Sequence, residues 1–156
     1  MIVDRFQSPL GQMLLCSDGI YVTAVTFTGQ KHEETHIPAD AVFGTCPVLE
    51  EAKSWLIRYF NGEIPDFLPP LMPEGTPFQK NVWALLLEIP YGQTVTYGYL
   101  AQKLGCKSAQ AVGGAVGRNP ISILIPCHRV VGADGSLTGY AGGVEKKEYL
   151  LNLEKA

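Results

Sequence analysis

Apolar and polar positions change rhythm several times along this chain, and each change marks an element. Met13 to Ser17 and Ile20 to Thr28 are rich in β-branched and aromatic residues and read as strands, with Ser17-Asp18-Gly19 as the turn between them. Glu50 to Phe60 reads as a helix: Ala52, Leu56, Tyr59 and Phe60 lie near one helical stripe, and Gly62 follows its end. The stretch from Ile64 to Gly75 holds Pro65, Pro69, Pro70 and Pro73 and continues neither a helix nor a central strand. A boundary there divides the chain into an N-terminal α+β domain, 1–75, and a second domain, 76–156.

Punctuation is sharper in the second half. Thr76-Pro77 supplies a cap and a first-turn proline, and Phe78, Val82, Leu85, Leu86 and Ile89 follow at helical spacing until Pro90-Tyr91-Gly92. Thr96 caps a second helix through Tyr97, Leu100, Ala101 and Leu104, stopped by Gly105. Ser108 caps a third, Ala109 to Gly117, stopped by Asn119-Pro120. The last two, joined by a glycine-containing turn, fit a helix-turn-helix. Ile121 to Ile125 reads as a short apolar strand, Gly132-Ala133-Asp134-Gly135 as a tight turn, and Val144 to Leu153 as a closing helix. Three helices followed by a hairpin predict a winged helix-turn-helix, and the chain as a whole is α+β.

Charge sharpens that picture. The formal net charge is -3, but residues 1–75 hold 4 Lys+Arg against 10 Asp+Glu, and residues 76–156 hold 8 against 5. An acidic front joined to a basic back suits a module that binds a polyanion. The third helix adds a second hint. Ala109, Ala111, Gly113, Gly114, Ala115 and Gly117 leave it nearly bare, although each glycine costs a helix about 1 kcal/mol relative to alanine. Either a neighbouring helix or a DNA minor groove approaches that backbone closely. No apolar run spans a bilayer, and Met1 to Leu10 carries Asp4, Arg5 and Gln7 rather than the pattern of a signal peptide. A soluble, cytoplasmic protein without membrane partners is the expectation.

Four cysteines, Cys16, Cys46, Cys106 and Cys127, include no CxxC pair and read as thiols. Cys16, His32, His36 and Cys46 could be assembled into a zinc site, but isolated Cys and His more often pack or face solvent, so no metal is expected. One cysteine stands apart. Ile123-Leu124-Ile125-Pro126-Cys127-His128-Arg129-Val130-Val131 places a thiol, an imidazole and a guanidinium in succession after an apolar segment. A thiol becomes nucleophilic when a base removes its proton, and His128 is the adjacent base. Neighbouring side chains on a strand point apart, so a bent backbone at Pro126 or an intervening water is required. Glu154 in the last helix is the candidate to orient the imidazole.

Pro126-Cys127-His128-Arg129-Val130 resembles the active-site signature of the alkylguanine-DNA alkyltransferases, also called methylated-DNA–protein-cysteine methyltransferases. The likeness extends through Thr76-Pro77-Phe78-Gln79, Val95-Thr96-Tyr97, Ala111-Val112-Gly113-Gly114-Ala115, Asn119-Pro120, Gly139-Tyr140-Ala141-Gly142-Gly143 and Lys147-Glu148-Tyr149-Leu150-Leu151. It covers essentially all of residues 76–156; upstream, Ser8-Pro9-Leu10-Gly11 is the best local match, and the family has a ribonuclease-H-like domain there. The resemblance implies that Cys127 attacks the alkyl carbon on the 6-oxygen of guanine in duplex DNA, with the base flipped out of the helix. It implies that His128, through a water and held by Glu154, takes the thiol proton, and that Tyr97 donates to the guanine as charge develops. Ala109, Gln110, Ala111, Gly113, Arg118 and Arg129 are then expected to contact DNA. The main chain at Cys127, Val130 and Ala141, with Tyr140 beside it, would read the base, and Asn119 would support the site.

The implied product is a thioether, so each monomer acts once, without cofactor; the 4-oxygen of thymine stays open as a second target. One position departs from the pattern: several relatives carry an arginine where this chain has Gln110, which can fill the space of a flipped base but brings no charge. Two rivals remain at this point. A damage-sensing DNA-binding protein would lack transfer chemistry, although in such sensors the cysteine is replaced. A cysteine hydrolase would leave the helix-turn-helix without a purpose.

Overall fold

The computed structural model describes residues 1–30 and 36–155. They fall into two compact units, one of Met1–Glu74 with Pro120–Ser122, the other of Gly75–Asn119 with Ile123 onward.

The first unit is built on a four-stranded sheet in the order β3-β2-β1-β4. Strands β1 (Ile2–Ser8), β2 (Gly11–Ser17) and β3 (Val22–Phe27) form an antiparallel meander, and β4 (Val42–Phe43) joins β1 in parallel. Strand β1 escaped the sequence reading because Asp4, Arg5 and Gln7 break its apolar alternation. The β2–β3 turn forms where expected: Asp18 Oδ1 accepts from the amides of Ile20 (2.9 Å) and Tyr21 (2.8 Å), an Asx-type turn. Helix α1 (Pro47–Phe60) starts one turn earlier than its stripe predicts, because Pro47 occupies the first turn after the cap Cys46. It buries Val48, Leu49, Ala52, Leu56 and Tyr59 in the core shared with Val3, Met13, Leu15, Val25 and Phe27.

Strand β3 is buried along its whole length, and its outer edge is covered. The amide of Val22 donates to Pro70 O and that of Met72 to Val22 O, both at 2.8 Å; the amide of Val25 donates to Pro120 O and that of Ser122 to Val25 O, both at 2.9 Å. Both prolines serve as acceptors only, the one ladder role a residue without an N–H can fill. The proline-rich stretch is therefore docked, not slack.

In the second unit the helices are stopped and started by their caps. Thr76 and Gln79 form a reciprocal capping box for α2 (Pro77–Leu86), with bonds of 3.1 and 3.0 Å. Thr96 caps α3 (Tyr97–Leu104), which Gly105 ends at φ 65°, and Ser108 caps α4 (Ala109–Gly117). Trp83 Nε1 donates to Ala115 O at 2.9 Å, tying α2 to α4. The close approach at Gly75 is to the same indole: an added Cβ would lie 2.5 Å from Trp83.

Two expectations fail after α4. Ile121 to Ile125 is not a strand; it makes isolated bridges interrupted by a turn, with Ile123 at φ 72°. No hairpin is formed among the described residues there. Instead β6 (Val130–Val131) pairs in parallel with β5 (Val95–Thr96), and the return from the Gly132–Gly135 turn runs without strand pairing. Helix α5 (Val144–Lys155) closes the unit, running two residues beyond the predicted end. Among the described residues no helix is long and apolar enough to cross a membrane.

Candidate active site

Cys127 opens a single 3-10 turn, Cys127–Arg129, inside which Cys127 N donates to Ile125 O (2.8 Å) and Arg129 N to Pro126 O (3.0 Å). That turn is the bend that Pro126 foreshadows, and it frees the Cys-His pair from the alternation of a strand. Val130 N donates back to Cys127 O, so this amide is spent on the turn itself.

Three elements converge on the turn. Helix α5 brings Glu154, whose Oε2 lies 2.5 Å from His128 Nε2. The end of α4 brings Asn119, whose Nδ2 donates to Ile125 O at 2.8 Å. The start of α3 brings Tyr97, whose hydroxyl donates to Thr138 O at 2.9 Å. The same carbonyl accepts from Lys147 Nζ at 2.8 Å.

Electrostatics follow from burial. Desolvation pushes the Cys127 thiol up to about 11, opposed by the Asn119 side chain and the Lys147 charge. Desolvation holds His128 below its ordinary value, against the pull of Glu154. Lys147 is also lowered by burial. At neutral pH the site therefore rests as a neutral thiol beside a neutral imidazole, and the nucleophile forms only as the proton moves.

Arg129 is a correction. Expected at the DNA, its guanidinium turns inward: Nε donates to Glu154 Oε1 (2.8 Å), Nη2 to Glu154 Oε2 (3.1 Å) and Nη1 to Ile89 O (2.7 Å). Val130 and Tyr140 are buried, and Ala141 is half-buried. Ala109, Gln110, Ala111 and Arg118 are exposed on or just after α4, with Gly113 half-buried. An added Cβ at Gly113 would meet the Tyr97 ring at 3.7 Å, while one at Gly114 would meet nothing within 4 Å. The bareness of α4 thus has two causes, packing at one glycine and an open face at the next.

Sequence reasoning missed Lys147 and Thr138. Lys147 was findable: it precedes the buried Leu150, Leu151 and Glu154 by three, four and seven residues on the inward stripe of α5. The Thr138 carbonyl had no side-chain signal. Of the zinc candidates, Cys16 is buried in β2, Cys46 caps α1 and His32 lies outside the described residues; among those described, no three His, Cys, Asp or Glu are grouped to hold a metal.

Comparison with known proteins decides the family. Residues 77–156 match the model described as "6-O-methylguanine DNA methyltransferase, DNA binding domain". The chain belongs to the methylated-DNA–protein-cysteine methyltransferase family. Family members of that name include one from Haemophilus influenzae, 47% identical over 96% of this chain and 84% of its own length. Another, from Methanosarcina acetivorans, is 48% identical over 96% of this chain and 95% of its own. The crystal structure of Mycobacterium tuberculosis OGT in complex with DNA superposes on this methyltransferase with a TM-score of 0.91 at 40% identity, covering 99% of this chain and 93% of that one.

Proposed function

We propose that this methyltransferase repairs duplex DNA by moving an alkyl group from the 6-oxygen of guanine to Cys127, once per molecule. The observation that carries the reading is the contact of His128 with Glu154 at 2.5 Å, one residue from a buried thiol, in a chain of this family. Sγ of Cys127 attacks the alkyl carbon as the carbon–oxygen bond breaks. The electrons of that bond pass to the guanine, which leaves as an anion. Tyr97 donates toward the departing base as this charge develops, its hydroxyl turning from the Thr138 carbonyl, which keeps Lys147 Nζ as its donor. The thiol proton passes through a water to His128 Nδ1, since Nε2 faces Glu154. A thioether is not readily reversed, so the protein is consumed, and no cofactor enters the balance.

The first unit is read as the family's ribonuclease-H-like domain and the second as its winged helix-turn-helix. Helices α3 and α4 form the DNA-binding pair, and the open face of α4, with Gln110 at its start, enters the minor groove while the damaged base flips to the thiol. Asn119 supports the site by joining the end of α4 to the segment before Cys127. A monomer in the cell interior suffices for this chemistry, and alkylated thymine is the second substrate to try. The test is intact mass after incubation with a duplex carrying one 6-O-methylguanine, with Cys127→Ala as control. The expected result is one methyl per chain, capped at one equivalent and absent in the control. Duplex binding without mass gain would favour the damage-sensor reading.

A further inference from the structure

Among the described residues, four nitrogens meet the carboxylate of Glu154. Oε1 accepts from Gly92 N (3.0 Å) and Arg129 Nε (2.8 Å); Oε2 meets His128 Nε2 (2.5 Å) and accepts from Arg129 Nη2 (3.1 Å). A carboxylate offers about four lone-pair directions, so this one is saturated. The guanidinium that supplies two of these donors also donates to Ile89 O and lies 5.6 Å from the centroid of the Tyr91 ring. Its planar fork joins the Ile89–Gly92 turn to helix α5, with the Glu154 side chain only 1% exposed.

We infer that Arg129 is a positioning residue for the transfer reaction: it clamps Glu154 so that the carboxylate holds His128 as the Nε2–H tautomer, and its charge offsets that of the carboxylate beside the ring. This inference rests on the transfer reading above. The clamp follows from shape. A carboxylate gripped by two N–H groups of one rigid guanidinium cannot rotate, and only a lone pair in a fixed direction can select one tautomer of the ring. A lysine would keep the charge and lose the fork.

The charge balance follows from what faces the imidazole. Helix α5 presents Glu154 and Lys147, and the 3-10 turn presents Arg129. Desolvation opposes the imidazolium, Glu154 favours it, and Arg129 and Lys147 add to the opposition. With Arg129 gone, the pull of Glu154 would be opposed by desolvation and Lys147 but by no guanidinium, and the imidazole would hold its proton at higher pH. A ring that already carries its proton cannot accept one from Cys127. The acid limb of the transfer rate would therefore move upward in pH.

Two measurements test this. Nitrogen-15 NMR of His128 in the unmodified protein, from about pH 5.5 to 8.5, is expected to show a neutral, Nε2-protonated ring at neutral pH. An imidazolium or an Nδ1-protonated ring there would overturn the inference. This arm needs no DNA, so it decides even if the protein transfers no methyl group and the transfer reading itself falls. Single-turnover methyl transfer against pH is then compared for the unmodified protein, Arg129→Met and Arg129→Lys. Arg129→Met is expected to move the acid limb up by about 1 unit or more. Arg129→Lys is expected to keep the limb near its original place while losing about tenfold or more in rate. A folded Arg129→Met whose rate falls with the acid limb unmoved would reduce Arg129 to a structural part and overturn the proposal. Should Arg129→Met not fold, the histidine spectrum and the Arg129→Lys profile decide: an Arg129→Lys rate equal to the unmodified protein's would overturn the clamp.

Discussion

The two units bury different things. In the first, every buried polar side chain among the described residues is uncharged: Ser8, Ser17, Thr23, Thr26, Gln30 and Ser122 sit among aliphatic and aromatic groups. In the second, His128, Arg129, Lys147 and Glu154 are all buried. An ion pair removed from water is seldom worth more than well-packed apolar side chains of the same size. The first interior is thus what packing alone selects. The second holds charges that a fold concerned only with stability would replace, and these are the groups gathered around Cys127. Buried charge that stability does not require marks the part of the chain shaped by chemistry.

That contrast can be broken at its strongest point first. Cys127→Ala is expected to abolish methyl uptake entirely, read as intact mass, while urea unfolding stays close to the original. Glu154→Ala strands Arg129 and His128 without their carboxylate and should cost about 3–5 kcal/mol in chemical denaturation, besides losing transfer. In the first unit the comparable loss needs a cavity. Leu49→Ala, at a fully buried position, should cost about 2–5 kcal/mol yet leave the pH dependence of transfer unchanged in the folded protein. An acid limb that moved with Leu49→Ala would erase the distinction between the units.

The pH dependence sharpens it further. His128 is depressed below 6.5 in the folded protein, so the unfolded chain binds the extra proton first as pH falls. Its contribution to stability is accordingly lost below 6.5. Cys127 is raised from 9.0 to about 11, so the unfolded chain releases its proton first, and stability falls as pH climbs through that window. Both losses should vanish from urea-unfolding profiles of the matching variants, His128→Gln and Cys127→Ala. The smallest effect belongs to α4. Gly114→Ala, with nothing within 4 Å of the added carbon, should stabilise the protein by about 0.5–1 kcal/mol. Weaker DNA binding by that variant would mark this face as the one pressed to the groove.

Legibility followed the range of the interactions involved. Helices α2, α3 and α4 begin after caps at Thr76, Thr96 and Ser108, as read from the sequence, because a cap is a bond between residues three apart. Glu154 was named from the sequence as a candidate in the last helix, and its contact with His128 was implied by the family likeness. The strand expected over Ile121 to Ile125 failed because its apolar run satisfies burial, not a ladder; Ile121 bridges to Val25 of β3, Ser122 N donates to Val25 O, and the chain then turns at Ile123. Arg129 was misread for a related reason. A cation beside a nucleophile in a DNA-binding chain suggests a phosphate, and only the fold reveals a carboxylate waiting 25 residues away.

The short passage of Pro120–Ser122 along β3 has a consequence for inheritance. Recombination at the proline-rich stretch would swap residues 1–75 as a cassette, yet the donor's β3 would arrive without the three residues that cover part of its edge. The recipient would have to supply that cover from its own gene segment, at a fixed distance before its reactive cysteine. Chimaeras joined there between diverged relatives must therefore match at this remote strip as well as at the joint. In modular terms, the chain is two packed units written as a single interleaved text.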